Sequence, residues 1–284
     1  MTAAVPEDLV VTRATPDDWH TVVDWAGAEG WNPGLADASA FFTLDPDGFF
    51  VGRLDGEIVS SICVLNHSAD FAFLGLYLVR ADLRGHGCGL TTWKTALSHA
   101  GSRTVGLEGV VAQQDNYRRS GFRFAHRTDR FTGLAPATEV PADVRAVREG
   151  DFAELLAYDG ACSPADRPRF LTAWLTSPGH RALVRRTGGR VTGYGVVRPG
   201  PDALRIGPLF ADTADDARAL FAGLVAEVPG EEIAVDVPAT NAAAVALARQ
   251  AGLTPSFEMA RMYTGPVRPF AEERVFAYTT VEVG

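Results

Sequence analysis

The same order of segments runs through this chain twice, and that recurrence restricts the fold more than any single motif does. In the first half, runs rich in aromatic and β-branched residues occupy 9–13, 49–54, 58–66 and 71–79. The Asp-Gly turn in LDGE (54–57) joins the second and third as an antiparallel hairpin. A glycine loop follows, then a helix over 90–100 ended by Gly101, a buried strand at 104–111, a short helix at 116–120 ended by Gly121, and a final strand pair over 122–133. Beyond LAPATEVPAD (134–143), rich in proline and alanine and without periodicity, the order returns. It runs as a helix at 151–159, a hairpin of 182–186 and 191–197 around TGGR, a strand at 204–209, a helix at 213–228, a strand at 233–237, a helix at 241–251 and a last strand at 257–263. A meander followed by β-α-β-α-β, met twice, predicts a duplicated α/β domain. The expected division is a domain over 1–134, a linker over 135–143 and a second domain over 144–284, each a mixed, mostly antiparallel sheet flanked by helices.

Composition agrees with that reading and removes several function classes. A length of 284 residues at 46% hydrophobic content suffices for two cores. The net charge is −9, Lys94 is the only lysine and the arginines are scattered, so no polybasic stripe offers itself to nucleic acid. An acidic balance suits a cationic small molecule as well as it suits solubility. The start, MTAAVPEDLVVTRAT, lacks a basic stretch followed by an apolar run, and nothing approaches the roughly 20 apolar residues of a membrane helix. A cytoplasmic protein with no membrane partner is expected. Cys63, Cys88 and Cys162 are odd in number and widely spaced, with no CxxC and no histidine at ligand spacing, which predicts reduced thiols and no metal site.

The loop between the central strand and its helix is VRADLRGHGCGLTTWKTAL (79–97), with Gly85, Gly87 and Gly89 at alternate positions. Glycines so spaced let successive N–H groups point to one side with no Cβ in the way, and the helix that follows adds its positive end, together an anion site; the alternative is a glycine-rich turn with no ligand. The spacing is not GxxxxGK[ST], and GxGxG after a meander is not the dinucleotide fingerprint.

Arg84-Gly85-His86-Gly87-Cys88-Gly89 after GLYLV is similar to the [QR]xxGx[GA] acyl-CoA loop of the GNAT N-acyltransferases, and YRRSGF (117–122) resembles their second motif, Yxxx-GF. The full arrangement resembles the tandem-domain branch of the YitH and HolE type, through GWNPG (30–34), GPLFAD (207–212) and ARMYTG (260–265). The second half carries a degenerate copy. In IAVDVPATNAAAVALARQAGL (233–253), Ala248 and Leu253 stand where the family has tyrosine and phenylalanine. RIGPLFADTADDARAL (205–220) has lost the glycine spacing. The first half lacks the NxxA that usually precedes the motif tyrosine, having Val110 and Gln113 there.

The resemblance implies an acyltransferase with acetyl-CoA or another acyl-CoA as co-substrate and a small-molecule amine as acceptor. A protein or peptide amine, or a non-catalytic acyl-CoA sensor, is the alternative. It implies that the N–H groups of the 84–89 loop and Arg84 bind the coenzyme's pyrophosphate, with Asn116 also at the cofactor. It further implies a bulge late in the central strand, so that the backbone near Tyr77, Leu78 and Val79 holds the pantetheine arm and a developing oxyanion. Tyr117 is the candidate proton donor to the leaving thiolate, helped by a polar neighbourhood of Asn116 and Arg118; the other reading is a ring packed beside Phe122. Glu108 interrupts the apolar strand TVGLEGVV and is the candidate base; the other reading is that it hydrogen-bonds backbone or an arginine and that water removes the proton. Asp70 and His67 are weaker choices, and Cys88 has no acid or histidine suited to a nucleophile's role. Trp31 is a candidate acceptor-pocket lid or a plug at the core's edge. Asp236 is either an amine contact or a cap for the helix beginning near Asn241.

Overall fold

The computed structural model describes residues 5–284, so the first four residues of the leading stretch lie outside the description. The first half runs β1 (Val10–Arg13), α1 (Pro16–Ala28), α2 (Asp37–Leu44), β2 (Phe49–Leu54), β3 (Glu57–Asn66), β4 (Phe71–Val79), α3 (Cys88–Ser98), β5 (Thr104–Val110), α4 (Gln114–Arg119) and β6 (Arg123–Leu134). The second runs β7 (Val144–Ala146), α5 (Phe152–Ala161), α6 (Pro168–Thr176), β8 (Arg181–Thr187), β9 (Arg190–Arg198), β10 (Leu204–Ala211), α7 (Ala214–Ala226), β11 (Glu232–Pro238), α8 (Ala242–Gln250), β12 (Thr254–Tyr263) and β13 (Val275–Ala277). Asp55 and Gly56, both at positive φ, make the β2–β3 turn the primed type that Asp-Gly favours. Pro16 at the first helical turn and a reciprocal Thr15–Asp18 capping box start α1.

The two halves do not build two separate sheets. Thirteen strands form one sheet in the order β1-β2-β3-β4-β5-β12-β6-β11-β10-β9-β8-β7, with β13 on β10. The expected strand pair at 122–133 is a single 12-residue strand, β6. Its missing partner comes from the other half: β12 lies antiparallel between β5 and β6, and β6 lies between β12 and β11. A sheet edge inside a protein must be paired, and each repeat satisfies the other's. Apolar packing follows the same plan, since α1, α2 and β2 of the first half share one buried cluster with α5, α6 and β9 of the second.

Each half contains one parallel pair that parts midway. β4 pairs with β5 only from Phe71 opposite Thr104 to Leu74 opposite Leu107. Past that point β4 bulges, Leu76 and Tyr77 standing against the single residue Ile62 of β3, with Leu76 at φ +50. In the second half β10 leaves β11 after Ile206 and bulges at Gly207. There the opening is filled from within, because β13 pairs with β10 at Leu209 and Phe210.

A chain ending after Leu134 would present β5 and β6 without β12 and leave the first core open. Circular dichroism and gel filtration of that fragment are expected to show no cooperative melting and aggregated material, whereas co-expression with the remainder restores a soluble complex; a compact fragment melting cooperatively would contradict the shared sheet.

Candidate functional site

The glycine loop forms the entrance to α3. Gly85 and Gly87 sit at φ +85 and +80, and Gly87 occupies the N-cap position without a side chain to satisfy the helix. The N–H groups of Cys88, Gly89 and Leu90 therefore donate to no acceptor among the described residues. A Cβ on Gly89 would fall 2.5 Å from the Tyr77 hydroxyl, so only glycine lets β4 pack this closely on the helix start. Arg84 is anchored by a 3.0 Å bond from Nε to the Val79 carbonyl and pairs through Nη2 with Glu29, leaving it half exposed at the rim. His86 folds back on the Arg84 carbonyl. Unbonded N–H groups at a helix start, with an arginine beside them, are chemistry that fits a diphosphate. Cys88 contributes main chain only, its thiol being fully buried.

The corresponding place in the second half is closed to an anion. Thr213 caps α7, its hydroxyl accepting from the Asp216 N–H at 3.1 Å, and Asp215 and Asp216 put carboxylates in the first turn. Phosphate would meet both an occupied cap and negative charge.

Where β4 parts from β5 a cleft opens, and it brings together Trp31, Tyr77, Glu108 and Tyr117 with Arg130, Phe257 and Glu282. Glu108 lies opposite Arg261 in the β5–β12 register. Its Oε1 accepts from Arg261 Nε at 2.7 Å and from Thr128 Oγ1 at 2.9 Å, while Oε2 is buried with no hydrogen-bond partner. Burial pushes its carboxyl above the ordinary range, and the Arg261 guanidinium opposes this without cancelling it. One oxygen held and one free is the arrangement of an oriented proton acceptor.

Tyr117 stacks on Trp93 at 5.7 Å and meets Phe122 edge-on, and Gly109 makes room for the ring. The expected polar neighbourhood is absent: Asn116 is exposed and donates to Gln113 at 2.5 Å, and Arg118 is paired with Asp115. Asn116 accordingly sits on the outer face of α4, away from the cleft lining. Burial raises the Tyr117 hydroxyl well above the usual phenol range and Tyr77 to about 12, so both stay protonated at neutral pH.

Asp236 is not placed to meet an amine. Its side chain is 4% exposed and held by Arg130 through two bonds of 2.7 and 3.0 Å and by Arg205 Nη2. Burial alone would raise this carboxyl, but the two guanidiniums outweigh it and bring it to about 2. Nor does it cap α8, whose cap is the Asn241 side chain accepting from Ala244 N–H. Instead Arg130 and Arg205 carry its influence to the cleft, both donating to the Trp31 carbonyl. Trp31 is thus a wall held by its main chain. Of the weaker base candidates, burial drives the imidazolium of His67 down to about 3, and Asp70 lies in an exposed turn; neither lines the cleft. The three cysteines are free and buried, and no cluster of three or more potential ligands among the described residues could hold a metal. No helix among them is long and apolar enough to cross a membrane. Sequence reasoning missed Arg130 and Glu282; Arg130 stands across the β6–β11 register from Asp236, a relation that no local pattern carries.

Comparison with known proteins fits this geometry. A model described as the acetyltransferase (GNAT) family matches residues 14–122, and one described as an acetyltransferase (GNAT) domain matches residues 155–277. Holothin acyltransferase of Pseudoalteromonas sp. (strain SANK 73390) is 30% identical over 273 residues, covering 95% of this chain and 93% of that protein. The uncharacterized N-acetyltransferase YitH of Bacillus subtilis (strain 168) is 24% identical over 220 residues, 76% of this chain and 77% of its own length. In fold, a putative acetyltransferase from Pyrococcus horikoshii superposes with a TM-score of 0.83 at 21% identity, covering 100% of this chain and 99% of that one. A tandem GNAT protein from the clavulanic acid biosynthesis pathway gives a TM-score of 0.63 at 17% identity over 91% and 99% of the two chains. A glycine loop on an unsatisfied helix start, a parted parallel pair and kinship along nearly the whole chain agree: this protein belongs to the GNAT family, as an acyltransferase built from two GNAT domains in tandem.

Proposed function

We propose that this enzyme transfers an acetyl or longer acyl group from acyl-CoA directly to the amine of a small molecule while both are bound, at one site in the first domain. The observation that carries this reading is that Glu108, Tyr117 and Tyr77 line one cleft at the β4–β5 parting, beside the unsatisfied start of α3. Walls from both halves, Trp31 on one side and Phe257 and Glu282 on the other, favour a small acceptor over a protein chain. The domains expected at 1–134 and 144–284 are in this view one catalytic unit, the second completing the acceptor side.

Acyl-CoA supplies, when bound, a thioester carbonyl open to attack by an amine. The N–H groups of the 84–89 loop and Arg84 would hold its diphosphate. The main chain of Tyr77, Leu78 and Val79, past the last β5 pairing, would hold the pantetheine arm and the carbonyl oxygen. Glu108 takes the proton of the attacking nitrogen on Oε2, with Oε1 fixed by Arg261 and Thr128. Tyr117 donates a hydrogen bond to the departing sulfur. Complete transfer of its proton is opposed, because burial raises the phenol, and the leaving thiolate, whose thiol has a pKa of about 8.5, is a weaker base than the phenolate. A hydrogen bond that strengthens as charge develops on sulfur still lowers the barrier.

Three outcomes check this reading. Calorimetry with coenzyme A is expected to give one site per chain, and a second equivalent site would contradict it. Tyr117→Phe is expected to lower kcat by about tenfold or more with acyl-CoA affinity nearly unchanged, since the bond forms only in the transition state. For Glu108 the unprotonated form is the active one, so kcat/KM for the amine rises with pH along a limb displaced above the ordinary carboxylate range. Glu108→Gln is expected to abolish that limb and cost about 10²-fold in turnover; a retained limb assigns the proton to water.

A further inference from the structure

The chain's last residues return to the cleft. Main chain near Tyr278 and Thr279 passes over Gly207, where a Cβ would lie 2.3 Å from the Tyr278 carbonyl, and the tail then crosses to the first domain. There a Cβ on Gly75 would lie 1.9 Å from the Glu282 carbonyl, so the tail is seated on β4 one residue before its bulge. Glu282 lines the cleft opposite no motif of either repeat. Its Oε1 pairs with Arg205 Nη1 at 3.3 Å, and its Oε2 is buried without a partner. Its side chain is 4% exposed.

Two carboxylates in one cleft therefore each keep one unsatisfied oxygen, Oε2 of Glu108 and Oε2 of Glu282. A buried acceptor without a donor carries a penalty that an incoming N–H relieves. Charge is already balanced: Glu108 faces Arg261, while Asp236 and Glu282 share Arg130 and Arg205. The cleft thus offers two acceptors without a surplus negative charge, which suits a neutral nitrogen bearing two N–H bonds. Apolar side chains, among them Leu76, Leu107, Val110 and Met259, make much of the remaining lining and offer no competing acceptor.

We propose that Glu282 determines acceptor specificity, accepting from the nitrogen the N–H that Glu108 does not take, so that the site acylates primary amines and discriminates against their N-alkyl counterparts. The inference rests on the acyl-transfer reading above and adds the residue that reads the second N–H of the acceptor. A secondary amine gives up its only N–H to Glu108 and leaves Glu282 facing an alkyl group, an unpaired acceptor at closest approach. In a Glu282→Gln variant the amide carbonyl is drawn to Arg205, so the NH₂ faces the nitrogen as a second donor.

The test measures free-thiol release with acetyl-CoA and with benzylamine against N-methylbenzylamine. Wild-type enzyme is expected to favour the primary amine by about tenfold or more in kcat/KM. Glu282→Gln is expected to raise the KM for benzylamine about ten- to a hundredfold, to narrow the preference to about threefold, and to leave the acyl-CoA KM and the acidic limb in place. An unchanged benzylamine KM, a preserved preference, or loss of the acidic limb in this variant overturns the proposal, the last by making Glu282 the base. If Glu282→Gln melts below the assay temperature, Glu282→Asp is measured in its place, and an unchanged benzylamine KM and preference in that variant overturn the proposal. Wild-type enzyme that acylates no amine overturns the parent reading as well, whereas wild-type turnover with an indifferent Glu282→Gln overturns this subsite alone.

Discussion

The insertion of β12 between β5 and β6 is the contact on which everything else hangs. It supplies backbone partners along both neighbours, from Tyr263 opposite Gly106 to Met259 opposite Val110 on one side and from Thr254 opposite Thr132 to Tyr263 opposite Arg123 on the other. It also delivers Arg261 to Glu108. Buried ion pairs cross between the halves elsewhere too, at Arg130–Asp236 and Arg198–Asp37. Removing one member of such a pair strands a charge in the interior, at a cost of roughly 3–5 kcal/mol. The two copies have become structurally indivisible even as their chemistry has diverged.

That divergence can be traced to a few side chains. α3 begins at a glycine that caps nothing; α7 begins at a threonine that does cap, followed by two aspartates. The parted strands of the first half face a cleft, and those of the second are stitched by β13. The second copy fills with its own chain the parting that stays open in the first, and it contributes Phe257 and Glu282 to the lining of the first copy's cleft. Asp236 shows how: it touches no acceptor, yet through Arg130 and Arg205 it holds the Trp31 carbonyl and, by Arg205, Glu282.

What can be read in the sequence is what local chemistry dictates. The alternate glycines, the Asp-Gly turn, the 71–79 strand and the carboxylate interrupting an apolar strand each announce themselves within a few residues, and the structure has each of them in place. Helices α1 and α2 stand where the sequence patterns point to no element, although TPDD at the start of α1 is a local signal, a capping box. What stayed hidden depends on register between distant segments. Nothing local in FRFAHRTDRFTG names a partner in the other half, and a segment of this length reads as two short strands until β12 and β11 are seen on either side of it. Glu282 is one acidic residue in the mostly apolar run VFAYTTVEVG until that segment is seen lying across Gly75.

The place of β12 in the chain has a consequence for the order in which the sheet is made. A ribosome releases β5 and β6 long before β12, the strand that joins them. Until β12 emerges, each holds a row of backbone groups open to any other strand, so the nascent first half is the stage at which this sheet is exposed to mispairing.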